Sequence, residues 1–187
     1  MAANLPRPDS SGKASKARDG EKRRLVLEML SSGLTAADPI SRRRFRIRGH
    51  CMVPLVREGD VVTAEPLAGS PRLGDLLIAR VGSEEIVCHR ALEIAVAGLG
   101  LAGDASHRLD RVPPAAVLGR VVRVERGGVS LDWQTPAWRA LAPLLARWHV
   151  LARRFRVRRG RRPIFLAIEY PRRAALRLLA CRWWTAR

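Results

Sequence analysis

Residues 49–62 read Gly49-His50-Cys51-Met52-Val53-Pro54-Leu55-Val56-Arg57-Glu58-Gly59-Asp60-Val61-Val62. Immediately before them, Phe45-Arg46-Ile47-Arg48 alternates apolar and charged residues, the period-two pattern of a half-buried strand. A strand therefore runs into a turn that carries a thiol beside an imidazole. A Gly-Asp pair then opens a second β-branched run. The same grammar repeats downstream. Apolar runs at Val61–Ala64, Leu76–Ala79, Glu85–His89, Leu92–Val96 and Leu118–Val124 are punctuated by Gly59-Asp60, Gly74-Asp75, Gly82-Ser83, Gly98 and Gly127-Gly128. Short strands at such spacing predict an antiparallel, mainly β domain. The strands do not alternate with long helices, which excludes a doubly wound α/β fold.

The chain has 187 residues, of which 47% are hydrophobic, enough for the core of one domain. Its net charge of +18 excludes an acidic surface and points to nucleic acid or anionic membrane as partners. The charge is uneven: +5 over residues 1–44, zero over 45–135 and +13 over 136–187. The chain accordingly divides into a basic, disordered N-terminus (1–20), a helix and linker (21–44), a neutral domain (45–135) and a basic amphipathic helical tail (136–187). Leu25, Leu27, Met29 and Leu30, set among charges before Gly33, predict the short helix over 21–33. In the tail, Trp138, Leu141, Leu145, Trp148, Leu151 and Phe155 recur every three or four residues. Pro143 is expected to bend this helix, and Pro171 to bend the apolar, arginine-rich segment that follows.

Three cysteines, Cys51, Cys88 and Cys181, lie far apart with no CxxC pair. Neither a disulfide framework nor a zinc site is expected, and no cofactor is implied. No apolar leader and no run of 18 apolar residues occurs, so the expectation is a cytoplasmic protein without signal peptide or spanning helix, at most peripheral on the inner face of the membrane. Only three of the 35 basic residues are lysines, at positions 13, 16 and 22. No lysine could then act as a base within the β domain.

The stretch from Gly49 to Val62 resembles the signal peptidase and SOS-repressor superfamily of serine peptidases, whose signature is G-x-S-M-x-P after a strand, followed by G-D-x-V. Four further pieces follow in order: Leu73-Gly74-Asp75-Leu76-Leu77, Val87-Cys88-His89-Arg90, Gly103-Asp104-Ala105 with Asp110, and Leu118-Gly119-Arg120-Val121-Val122. The match covers about residues 45–126. It implies an antiparallel β-ribbon or barrel-like peptidase core. It departs from the pattern at the nucleophile, where Cys51 stands for serine. The branch of the superfamily that uses histidine as base has it where His89 stands, and draws its acid from the region of Asp104 and Asp110. A thiol with an imidazole base is a coherent pair, because the thiolate attacks carbonyls once a proton is removed. Of the two aspartates Asp110 is preferred, since the Asp of a Gly-Asp turn is often spent on local backbone hydrogen bonds.

The resemblance further implies that the Cys51 N–H serves the oxyanion. Met52, read as structural, steadies the turn, and Gly49, Met52 and Pro54 are the residues expected at the substrate and oxyanion side of the site. Gly49 stands where many signal peptidases have a serine that gives a second donor. Cys88, adjacent to His89 on a strand, is expected in the core, His50 at an exposed strand end and His107 in solvent. The expected function is endoproteolysis of a peptide or precursor protein bound in extended form. The alternative is an inactive or self-cleaving regulatory chain of the same fold that binds a membrane surface or nucleic acid. For the tail, contact with anionic lipid, contact with nucleic acid and simple packing on the β domain are the three readings, nucleic acid being the less favoured partner.

Overall fold

The structure, a computed structural model, describes residues 27–30, 42–82, 85–156 and 162–185. Its strands are β1 (Leu27–Leu30), β2 (Arg43–Ile47), β3 (Val61–Glu65), β4 (Leu76–Val81), β5 (Glu85–Ala95), β6 (Gly98–Ala102), β7 (Asp110–Val112), β8 (Val117–Arg126) and β9 (Val129–Asp132). Two helices follow, α1 (Pro136–Arg156) and α2 (Arg162–Thr185). The fold is mainly β, and every pairing is antiparallel. The strand order is β1-β2-β3-β8-β4-β5-β6-β7, with β9 paired to β8. Strand β8 joins the two halves: its Arg120–Glu125 segment pairs with β3, and Val117–Arg120 with β4.

The alternation at 45–48 is realised in β2, where Phe45 and Ile47 are buried and the arginines between them are exposed. Three features differ from the sequence reading. The sheet path ends at β1 and β7 and does not close among the described residues, so it is an open sheet rather than a barrel. Residues 27–30 pair with β2 as a strand, from Leu27 opposite Ile47 to Leu30 opposite Arg44. Local helical spacing is overridden there by a free sheet edge that offers backbone partners. The rest of the 21–33 helix, and the disorder expected over 1–20, lie outside the described residues. Finally, Glu85–His89 and Leu92–Val96 form one eleven-residue strand with an irregularity between Ala91 and Glu93.

The helices are not an appendage. Trp138, Ala142 and Leu145 of α1 and Leu176 and Ala180 of α2 join Phe45, Ile47, Met52, Leu55, Ile78 and Val124 in the main core. Gly74 shows how closely α1 sits: its φ is +90°, and a side chain there would run into the Ala142 backbone. Trp133, Trp138 and Trp183 stack in one cluster, with ring centroids 4.6 to 5.8 Å apart. The stripe on α1 is therefore spent on the β domain at Trp138 and Leu145, both buried.

Candidate active site

Cys51 sits in the turn that leaves β2. Gly49, at φ +90°, makes that turn in a backbone region that favours glycine. Ile47 closes the base of the loop, donating to Asp60 O and accepting from Gly59 N. Met52, Leu55 and Val56 are fully buried and anchor the segment, while Pro54, after a cis peptide bond, is half-buried. On the other side Cys51 O accepts the Ala105 N–H at 2.7 Å. Gly103 is required to be small, because a Cβ there would strike the Cys51 backbone and Cβ.

Two more strands supply the partners. Strand β6 lies between β5 and β7, with Arg90 opposite Ala102 and Leu101 opposite Asp110. This register brings the side chains of His89 and Asp110 together. Cys51 Sγ lies 3.0 Å from His89 Nε2, and Asp110 Oδ2 lies 3.0 Å from His89 Nδ1. The carboxylate beside Nδ1 favours the proton on that nitrogen and leaves Nε2 free to accept from the thiol. The three residues come from three separate segments and are 6%, 7% and 9% exposed.

Electrostatically the resting thiol is protonated. Burial pushes the Cys51 thiol up, and Cys88, Asp104 and Asp110 push it further. A preformed thiolate with a lowered pKa is thus not what this environment favours. His89 Nε2, at 3.0 Å, is within reach to accept the proton of this thiol. Cys88 is fully buried in the main core, its thiol pushed up to about 12 chiefly by burial.

Asp104 is occupied elsewhere. Its two oxygens accept from Arg90 Nε at 2.7 Å and Nη2 at 2.6 Å, and Arg90 also donates to Gly74 O and lies against the Trp138 ring. Burial alone would push the Asp104 carboxyl up. The Arg90 guanidinium outweighs that, with help from His149 and Arg172, and holds it below the usual carboxylate range. Asp60 and Asp75 do follow the Gly-Asp turn rule, accepting the backbone N–H groups of Arg57 and Arg72 at 2.8 Å. Asp104 is excluded from the imidazole by an ion pair instead.

The loop that carries Asp104 is clamped by both helices. His149 Nε2 lies 2.9 Å from Ser106 O, Arg153 donates to His107 O at 2.9 Å, and Arg172 donates to Asp104 O at 2.9 Å. Arg172 is held in turn by a bidentate pair with Glu169, which also takes Arg173 and lies 3.3 Å from His107. His107 is thus buried against α2 and not solvated as expected. Burial lowers His149 to about 3, with Arg172 next in effect. Burial opposes ionisation of Glu169, but hydrogen bonds from His107, Arg172 and Arg173 prevail and lower it. Arg90 belongs to the Val87-Cys88-His89-Arg90 piece of the sequence but has no role assigned by it, and His149, Glu169 and Arg172 do not stand out in the sequence as part of a site. One signal was available: Glu169 is the single acid of residues 136–187.

His50 is exposed, 3.3 Å from Glu58. A cleft of about 190 Å³ under α1, lined by Arg72, Arg120, Arg139, Trp133 and Trp138, includes neither Cys51, His89 nor Asp110. Among the described residues no group of three or more His, Cys, Asp or Glu could hold a metal ion, and no helix is long and apolar enough to cross a membrane. Comparison of the chain with family models, curated proteins and solved structures returns no match.

Proposed function

We propose that the chain is an endopeptidase similar to the histidine-base branch of the signal peptidase and SOS-repressor superfamily, with Cys51 as nucleophile, His89 as general base and Asp110 as its orienting carboxylate. The observation that carries this reading is the continuous contact from Cys51 Sγ through His89 to Asp110, at 3.0 Å on each side of the ring. The order nucleophile, base, carboxylate is the arrangement that acyl transfer requires.

In the proposed reaction the thiol proton passes to His89 Nε2 as sulfur attacks the scissile carbonyl. The oxyanion is stabilised by the Cys51 backbone N–H. The imidazolium, held by Asp110, returns the proton to the leaving amine, and the carbon–nitrogen bond breaks. Water, deprotonated by His89, then hydrolyses the thioester and frees Cys51. The substrate is a peptide or precursor protein in extended form, aligned by backbone pairing with a strand.

The experiment is cleavage of a mixed peptide library read by mass spectrometry, with Cys51→Ala and His89→Ala as controls. The expected result is a set of cleavages present in the wild type and absent from both variants. The burial of all three residues and the upward push on the thiol favour a second reading, a non-catalytic chain with this fold. That reading wins if the wild type yields no cleavage and His89→Ala leaves alkylation of Cys51 unchanged. Exposed Cys181 serves as the internal control for that labelling.

A further inference from the structure

We propose that the outward faces of α1 and α2 form a docking surface for an anionic lipid bilayer. Eight large apolar side chains are exposed among the described residues, and six of them lie on these two helices: Leu144, Leu151, Ile164, Leu166, Tyr170 and Leu178. Tyr170 and Leu178 are 77% and 71% exposed, so they are not partial contacts of the core. On α1 these positions lie opposite the face that packs inward, and on α2 they lie outside it. On α1 the core takes Trp138, Ala142, Leu145 and Ala146, while Leu144, Arg147, Leu151 and Arg154 follow one another at three- and four-residue steps on the other side. On α2, Leu166, Tyr170, Arg173 and Arg177 recur at the same steps and are exposed, forming a stripe that flanks the buried Arg172, Leu176 and Ala180. The surface is thus made of residues other than the tryptophans of the inward stripe.

Charge selects the partner. Glu169, the one acid of residues 136–187, is buried and consumed by Arg172 and Arg173. Arg139, Arg147, Arg154, Arg177 and Arg182 are exposed and have no carboxylate partner among the described residues. An outward face with free guanidinium groups, no carboxylate and interleaved leucines matches the anionic headgroup layer and the acyl boundary beneath it. Nucleic acid would reward the arginines but not the leucines, and Tyr170 is the only exposed aromatic side chain on these helices available for stacking. The inward faces of the same helices hold the 103–108 loop through His149, Arg153 and Arg172, so docking would set the β domain directly above the lipid. This surface stands whether or not Cys51 is active.

The test is co-sedimentation of the full chain with vesicles of phosphatidylglycerol and phosphatidylcholine, against phosphatidylcholine alone, with duplex DNA as competitor. Binding to the anionic vesicles only is expected. Arg147→Gln with Arg177→Gln should weaken it roughly 25-fold, at about 5-fold per arginine. Leu151→Ser with Tyr170→Ser should weaken it at least about tenfold through lost apolar burial. All four side chains are exposed, so unchanged melting temperatures certify folding. The proposal is overturned if anionic vesicles do not retain the wild type, if the Leu151/Tyr170 variant binds as well as wild type, or if duplex DNA displaces the protein from vesicles at equal phosphate. Cys51→Ala should bind like wild type, which keeps this outcome separate from that of the peptidase assay.

Discussion

Asp104, in the loop after β6, and Asp110, at the start of β7, stand six residues apart, both buried, yet they do opposite things. Asp104 is saturated by two guanidinium hydrogen bonds from Arg90, a partner that cannot release its proton. Asp110 faces His89, a partner that can. A buried carboxylate locked to arginine holds structure. A buried carboxylate beside an imidazole can stabilise a charge that comes and goes. The Asp104 cluster extends through Arg172 and Glu169 into the helices, whereas Asp110 reaches the thiol through His89. A scaffold carboxylate and a carboxylate of the candidate reaction centre thus lie six residues apart.

Removing one member of the scaffold pair should give the largest effect. Asp104→Asn leaves the fully buried Arg90 charge uncompensated, which costs about 3–5 kcal/mol in systems of this kind. Urea denaturation should show it as a fall in midpoint with unchanged slope. An Asp104→Asn protein as stable as wild type would erase the distinction drawn above.

Asp110→Asn should instead spare stability and strike reactivity. Without the carboxylate the imidazole loses its favoured tautomer and the stabilisation of its cation. Site-resolved alkylation of Cys51 at pH 7 should slow about 10²-fold, comparable with the loss of a general base, while Cys181 reacts as before. If Asp110→Asn costs more stability than Asp104→Asn, the two roles have been assigned the wrong way round.

The pH profile of stability comes next. His149 is neutral in the fold, its pKa lowered from 6.5 to about 3. Between those values the unfolded chain binds the extra proton, so stability rises with pH across this window and is lost as pH falls through it. The depressed carboxyls of Asp104 and Glu169 act in the same direction at lower pH: their contribution is present above the ordinary carboxylate pKa and lost as pH falls through the folded value. His149→Gln should flatten the profile of thermal midpoint between about pH 6.5 and pH 3. A variant with the same slope as wild type would mean that the clamp on Ser106 O does not depend on a neutral ring.

The smallest effect belongs to Arg108, whose Nε lies 3.3 Å from Asp110 Oδ1 from an exposed position. Such pairs are worth under about 1 kcal/mol. Arg108→Gln should change Cys51 alkylation by less than about 2-fold. A loss near that of Asp110→Asn would show that Arg108, and not His89, fixes the carboxylate.

By itself the sequence determined the β character of the domain, because Phe45-Arg-Ile-Arg and the Gly-Asp turns are local signals that need no partner to be read. Read through the resemblance to the signal peptidase and SOS-repressor superfamily, it offered Cys51 and His89 as candidate nucleophile and base, since no lysine occurs in the β domain. It located α1 to within a residue or two, because a stripe at three- and four-residue spacing is helical wherever it packs. Only the tertiary structure decided what that stripe covers, since periodicity shows which face is apolar and not what lies against it. The same holds at residues 27–30, where an available sheet edge, not local spacing, chose a strand. The choice between Asp104 and Asp110 was likewise tertiary. It depends on Arg90 reaching Asp104 first and on the β6–β7 register turning Asp110 toward His89, both set by contacts between residues distant in the chain or on different strands.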